Sequence, residues 1–261
     1  MIKGVIFDLG STLIRFDAEW PKVLDEGLKA LVDALLQEGF VLDGEAFAAA
    51  FRQETEGYQR SRQLDYIERT TTSVVQQAMA QFGYPSVSAD VLRRAVERMY
   101  AVSEAHWQPM PGAREVLAQL RERGMLLGLI SNASDEGNAQ RLIDKAQLRH
   151  WFDPILISAA VGTRKPDAGL FRTVLRAWKL PAREVVMVGD TLGEDILGAQ
   201  EVGMHSIWLT AEADTPGNRV NAATIRPEVI AESLYQIPAL VQSLDGSHPA
   251  GAGKGRRVRG Q

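Results

Sequence analysis

The sequence predicts an α/β fold, a parallel β-sheet core flanked by helices, with an all-helical domain inserted near its start. Three observations carry this reading. From about residue 105 onward, short β-branched and apolar runs alternate with amphipathic helical stretches. One more run of the same kind, Val5-Ile6-Phe7, stands almost at the start of the chain. Between them lies a block of about eighty residues that lacks strand-like runs and repeats apolar residues at helical spacing.

The totals bound the possibilities. A chain of 261 residues can form a core plus an insert. With 45% hydrophobic and 24% charged residues, it has the composition of an ordinary globular protein. A net charge of -4 argues against nucleic acid or an anionic membrane as the main partner. Cysteine is absent, which excludes disulfides, thiol catalysis and zinc-thiolate sites. His106, His150, His205 and His248 are scattered without metal-ligand spacing and read as surface or packing residues. The apolar runs are too short for a membrane span, and the N-terminal one is too short for a signal peptide. A soluble, cytoplasmic protein is expected.

In chain order, Val5-Ile6-Phe7 reads as a buried strand that stops at Asp8, with Gly10-Ser11 beyond. A carboxylate at the carboxyl end of an apolar strand sits where open α/β sheets place their ligands. The alternative is that Asp8 merely caps the next helix. Leu13 to Asp17 reads as a short exit segment. Leu24, Leu28, Leu31 and Leu35 mark a first helix, and Phe47 and Phe51 a second, with Gly39 and Gly44 between. A third helix is expected from about Tyr66 to Phe82, stopped by Gly83-Tyr84-Pro85. Ser88-Ala89-Asp90 opens a fourth, carrying Val91, Leu92, Val96 and Met99. Residues 16–104 are thus expected to form a four-helix bundle. Glu56 to Arg62 reads as the loop between its second and third helices. Arg60 and Arg62 there are candidates for contacting an anionic substrate, the alternative being a solvated polar loop.

Pro109-Met110-Pro111-Gly112 marks the return to alternating texture. A helix from Ala113 to Arg123 stops at Gly124. Strands are expected at Met125–Ile130, Pro154–Ser158, Val185–Val188 and His205–Leu209, with helices between, one of them from about Asp195 to Val202. Asp167 is placed to cap the helix after the third strand. Val229-Ile230 and a short helix from Pro238 to Leu244 complete a Rossmann-like core made of residues 1–15 and 105–245, with right-handed crossovers. Gly246 to Gln261 holds five glycines and four basic residues and is expected to be disordered.

Polar groups now cluster at strand ends and in the loops that follow: Asp8 with Thr12, Ser131 with Asn132, then Lys165, then Asp190 with Glu194 and Asp195. Each is weak alone, since caps and turns use the same residues. In this order, each after an apolar strand, they are specific. Phe-Asp-Leu-Gly-Ser-Thr-Leu (7–13), Ile-Ser-Asn (130–132), Arg-Lys-Pro-Asp (164–167) and Val-Gly-Asp-Thr-Leu-Gly-Glu-Asp-Ile-Leu-Gly-Ala (188–199) resemble the four motifs of the haloacid dehalogenase superfamily. The chain is similar to the subgroup with a helical cap inserted after the first strand. The resemblance spans about residues 2–244, the cap matching by position and helicity rather than by residues.

The resemblance implies a hydrolase, in most members a Mg²⁺-dependent phosphatase acting on a small phosphorylated metabolite. It implies that Asp8, ionised because free Asp titrates near pH ~3.9, attacks phosphorus to form an aspartyl-phosphate. Asp8, the Gly10 carbonyl and Asp190 would hold the ion, a donor set of the kind Mg²⁺ takes. Thr12, Ser131, Asn132 and Lys165 would bind the phosphoryl group, with Lys165 also offsetting charge on Asp8. Glu194 and Asp195 would support the lysine or the metal.

One position departs from the pattern. Most phosphatases of the superfamily carry a second aspartate two residues after the nucleophile, which protonates the leaving alcohol. Here Gly10 stands there, and such acid-base help is typically worth ~10²–10⁴-fold. Turnover is then slow, or the leaving group is good, or another carboxylate substitutes, Asp17 being the nearest in sequence. The missing aspartate also fits the dehalogenases of the superfamily, which work without metal, but those lack the acidic group that Asp190, Glu194 and Asp195 form here. Three classes stay open: a Mg²⁺-dependent phosphatase, a metal-independent dehalogenase, and a non-catalytic module that binds a phosphorylated ligand or a protein.

Overall fold

The computed structural model describes residues 1–245, so the expectation of a disordered tail over 246–261 lies outside the described residues. Six strands form one sheet: β1 (Gly4–Phe7), β4 (Leu126–Ser131), β5 (Ile155–Ile157), β6 (Val185–Gly189), β7 (His205–Leu209) and β8 (Val229–Ala231). Their spatial order is β5-β4-β1-β6-β7-β8, and every pairing is parallel. In register, Ile6 of β1 faces Gly128 on one side and Met187 on the other.

Helices cover both faces, which is why the strands read as unbroken apolar runs rather than as alternations. Val5 and Phe7 join a core with Val116, Leu117, Ile143 and Val241, from α5 (Ala113–Glu122), α6 (Glu136–Lys145) and α11 (Ile237–Leu244). Ile6 points the other way, to Leu170, Phe171 and Val174 of α8 (Ala168–Trp178). Each such fully buried side chain contributes about 1.5–3 kcal/mol relative to exposure. The chain builds β4 and β5 on one side of β1, then returns to the other side for β6, β7 and β8. The carboxyl ends of β1, β4 and β6 therefore meet where the strand order reverses, the place open α/β sheets reserve for ligands.

The inserted block comprises α1 (Trp20–Gln37), α2 (Gly44–Asp65), α3 (Thr71–Gln81) and α4 (Ala89–Glu104). It has a core of its own that includes Leu28, Leu31, Leu35, Phe47, Val75, Met79 and Val96. Asp43, Thr70 and Ser88 cap α2, α3 and α4 by accepting from Ala46, Ser73 and Val91 N–H. Leu24, expected on the buried stripe of the first helix, is 43% exposed.

Three further sequence expectations are corrected. Glu56 to Arg62 is not a loop, because α2 continues through it to Asp65. The segment is rich in good helix formers, Glu56 and Arg60 form an i,i+4 pair at 4.0 Å, and Gly57 faces open space. The helix ends where Tyr66 turns left-handed, at φ 54°. The third helix begins not at Tyr66 but at Thr71, and residues 66–70 instead strap onto the sheet domain: Glu68 N–H donates to Gly162 O at 3.0 Å, and Arg164 N–H donates to Tyr66 O at 2.9 Å. The exit segment contains β2 (Ile14–Phe16), which pairs antiparallel with β3 (Trp107–Pro109). This ribbon joins the two crossings between block and sheet, and we place the boundary of the proposed cap on it.

Candidate active site

Asp8, Ser131 and Asp190 reach the cleft from the ends of strands. Asp8 follows β1, its N–H continuing the ladder to Val188 O at 3.0 Å. The chain then turns tightly: Leu13 and Ile14 N–H both donate to Leu9 O, at 2.8 and 3.0 Å, with Ser11 left-handed at φ 59°. This turn leaves Gly10 and Ser11 on the cleft wall. Ser131 ends β4, with Asn132 next to it. Asp190 follows β6, and its carbonyl accepts from Trp208 Nε1 at 2.7 Å and from Asn218 Nδ2 at 2.8 Å. Asp8, Gly10, Ser131, Asn132, Asp190 and Glu194 together line a cleft of about 310 Å³.

Lys165 lies buried against Asp8. It is 1% exposed, and its Nζ lies 2.5 Å from Asp8 Oδ1 and 2.7 Å from Asp195 Oδ1, while donating to Ile130 O at 2.9 Å. Burial works against the ammonium, but Asp195 and Asp8 outweigh it and raise its pKa above the ordinary lysine range. Asp195 also accepts from Thr191 N–H at 2.9 Å. β6 lets this carboxylate approach only because residue 189 is glycine: a Cβ there would run into the Asp195 carboxyl group.

Asp8, Asp190 and Asp195 place carboxylate oxygens within 4.8 Å of one another. Asp190 is pushed well above the usual carboxylate range, by burial first and then by the charges of Asp8 and Asp195. Asp195 is pushed up by burial, with Asp8 adding to the effect. The cluster holds more negative charge than one lysine offsets. An all-oxygen donor set short of positive charge fits a hard divalent cation.

The structure departs from some expected residue roles. Both amide protons of Asn132 are spent inside the protein, on Lys165 O at 3.1 Å and Glu194 Oε2 at 2.8 Å, while its Oδ1 accepts from Lys165 N–H at 2.8 Å. The side chain thus clamps the backbone of Lys165 and has no donor left for a phosphoryl oxygen. Thr12 is fully buried, and its hydroxyl reaches Asp190 Oδ1 at 3.5 Å. Asp17 is exposed and does not line the cleft. Arg60 is exposed beside Glu56, away from the cleft. Arg62 lines a neighbouring chamber, its guanidinium 5.8 Å from the centre of the Tyr58 ring.

Residues 2–203 match the haloacid dehalogenase-like hydrolase family. The chain belongs to that family. Its fold is the α/β fold of haloacid dehalogenase-like proteins, and it is a hydrolase. It is 28% identical over 256 residues to a glyceraldehyde 3-phosphate phosphatase of Pyrococcus abyssi, covering 96% of this chain and 100% of that one. It is 29% identical over 261 residues to a phosphoserine phosphatase of Thermus thermophilus, covering 89% of this chain and 100% of that one. A solved 2-haloacid dehalogenase from Pseudomonas syringae superposes with a TM-score of 0.64 over 93% of this chain and 99% of that chain, at 23% identity, a likeness of fold alone.

In this member of the haloacid dehalogenase-like hydrolases, a buried network beside the cleft has no signal in the sequence. Glu68, from the strap after α2, accepts from Tyr58 OH at 2.6 Å, Ser134 Oγ at 2.8 Å and Ser158 Oγ at 2.8 Å, and it pairs with Arg164 at 3.1 Å. Arg164 in turn donates to Glu194 Oε1 at 2.8 Å. Burial works to raise the pKa of Glu194, but Arg164 and Lys165 more than offset it and hold it below the usual range. Trp107, from β3, also lines the cleft, and a Cβ at Gly10 would stand 3.7 Å from its ring.

Proposed function

We propose that this hydrolase is a Mg²⁺-dependent phosphatase acting on a small phosphorylated metabolite through an aspartyl-phosphate on Asp8. The observation that carries the reading is the cluster of Asp8, Asp190 and Asp195 set against the single ammonium of Lys165. A halide displacement has no use for such an acidic group, whereas a phosphoryl transfer assembles negative charge that a cation must offset. The phosphatases among its relatives support the same choice.

Asp8, Asp190 and the Gly10 carbonyl would hold Mg²⁺, which would supply positive charge beside the phosphoryl oxygens. Asp8 attacks phosphorus with the carboxylate oxygen not held by Lys165. Lys165 keeps Asp8 ionised and oriented, and Asp195 and the Asn132 clamp hold Lys165 in place. The Ser131 hydroxyl, at the cleft wall, binds a phosphoryl oxygen. Thr12 orients Asp190. Arg62, in the adjoining chamber, meets a negative substituent of the substrate; Arg60 has no part.

Phosphate release from p-nitrophenyl phosphate and acetyl phosphate, measured with and without Mg²⁺, tests the proposal. Mg²⁺-dependent release that is lost in Asp8→Asn is expected. Chloride release from a 2-haloacid without metal, and no phosphate release, would overturn it in favour of dehalogenation.

A further inference from the structure

Beside the cleft lies a second chamber of about 380 Å³, between the inserted helices and the sheet domain. Trp20, Tyr100, Ser103 and Asn132 line both spaces, so the two adjoin. Much of the chamber's lining is apolar, with Val23 and Leu24 of α1, Phe51 of α2, Val74 of α3 and Met99 of α4, while Arg62 and Arg69 also line it and can meet a charged substituent on an apolar body. Leu24, 43% exposed, is the member of the apolar stripe of α1 that faces this space instead of the bundle core. A phosphoryl group over Asp8 would project its organic part into this chamber.

Among the described residues, no group around that junction is suited to protonate a departing alcohol. Among the described residues, the carboxyl groups lining the cleft are Asp8, Asp190 and Glu194. Asp8 is the nucleophile, Asp190 belongs to the cation site, and Glu194 is tied to Arg164 and Asn132. No histidine among the described residues lines either space. Tyr100 is in place, but its hydroxyl is bound to Thr71 Oγ1 at 2.7 Å, and burial makes its proton harder to release. Beside Gly10 stands the indole of Trp107, an apolar neighbour.

We propose that the chamber binds the leaving group of the substrate as an apolar body of about aryl size, and that this group departs on its own acidity, so that the substrates are aryl, enol or acyl phosphates rather than phosphorylated simple alcohols. The inference rests on the phosphatase reading above. In the first step, an Asp8 carboxylate oxygen forms a bond to phosphorus as the ester P–O bond breaks. The leaving group takes that electron pair as an anion and acquires its proton later from solvent. In the second step, water oxygen bonds to phosphorus, the bond to Asp8 breaks and returns its pair to the carboxylate, and the water proton passes to the released phosphate.

The test is a leaving-group series at saturating Mg²⁺: substituted phenyl phosphates of graded phenol pKa, acetyl phosphate, and the alkyl esters glyceraldehyde 3-phosphate and O-phosphoserine. For the wild type, kcat/KM is expected to fall steadily as leaving-group pKa rises, with the alkyl esters slower than p-nitrophenyl phosphate by at least ~10²-fold, the low end of what acid-base help is worth. Gly10→Asp is expected to flatten the dependence, since the backbone there is ordinary and a Cβ meets only van der Waals contact. Leu24→Glu, at a half-exposed position, is expected to raise KM for phenyl phosphates at least tenfold more than for acetyl phosphate. A flat wild-type series with brisk alkyl turnover overturns this inference and leaves the phosphatase reading standing. No phosphate release from any ester, acetyl phosphate included, overturns both.

Discussion

Glu68 Oε2 lies 3.1 Å from Arg164 Nη1, and neither side chain is more than 6% exposed. Glu68 comes from the strap between α2 and α3, and Arg164 immediately precedes Lys165, so this pair ties the inserted helices to the segment that carries Lys165. Removing one partner of a buried pair leaves an uncompensated charge and costs about 3–5 kcal/mol. Glu68→Ala would take away one of the two carboxylates that pair with Arg164 and the acceptor of three hydroxyl donors at once. Urea unfolding is expected to show a loss in that range, with Glu68→Gln intermediate because an amide oxygen still accepts. Faster hydrogen exchange over residues 66–71 would locate the damage in the strap.

Lys165 answers to two carboxylates, Asp8 at 2.5 Å and Asp195 at 2.7 Å. Lys165→Met keeps most of the side-chain volume and removes the charge. Loss of one preorganised electrostatic group typically lowers kcat by ~10²–10³, and that range is expected for phosphate release. Lys165→Arg is expected to fare no better, because a planar fork does not fit a sealed site shaped for a compact ammonium. A Lys165→Met enzyme within a few-fold of wild type would remove Lys165 from the mechanism.

The sheet and its loaded strand ends were legible because parallel strands buried on both faces are continuous apolar runs, and a carboxylate that ends such a run is conspicuous. Val5-Ile6-Phe7 before Asp8 and Val185–Val188 before Asp190 both show this. Glu68 was not legible, since its role depends on Ser134, Ser158 and Arg164 arriving from far along the chain, and nothing local distinguishes it from a solvated glutamate. The extent of α2 is hidden because the charged stretch from Glu56 to Arg62 looks like a loop by polarity, although its residues are good helix formers. The hold of the Asn132 amide on Lys165 and Glu194 is hidden for a similar reason: a residue type shows what an amide can bind but not what already occupies it.

Gly189 sits where β6 must let Asp195 in. Gly189→Ala would press a methyl group against that carboxyl group and displace it from Lys165. A shift of about 1 Å at a catalytic group can lower activity ~10²-fold, and a kcat loss of that order is expected while the strand still folds. Gly57→Ala is the control. Its Cβ meets open space on α2, so activity should hold and stability should rise by roughly 0.5–1 kcal/mol, the helix-propensity gain of alanine over glycine.

In the proposed phosphatase, Asp190 couples stability to the cation. Its carboxyl is pushed up by burial and by Asp8 and Asp195, so the folded protein binds a proton there that the unfolded chain has already released. Where the folded state holds the extra proton, stability falls as pH rises. Metal-free protein should therefore lose stability as pH climbs above ~4, the ordinary aspartate value, until the folded group has itself ionised. Mg²⁺ would reverse the loss at neutral pH, adding about 2.7 kcal/mol at a concentration one hundred times its Kd. Asp190→Asn removes the repulsion, so it should be more stable than metal-free wild type at pH 7.5 and gain nothing from Mg²⁺, with activity lost. Thermal melts of both proteins in EDTA and in Mg²⁺, at pH 5.5 and 7.5, measure all four quantities. Equal stabilisation of wild type and Asp190→Asn by Mg²⁺ would place the ion elsewhere.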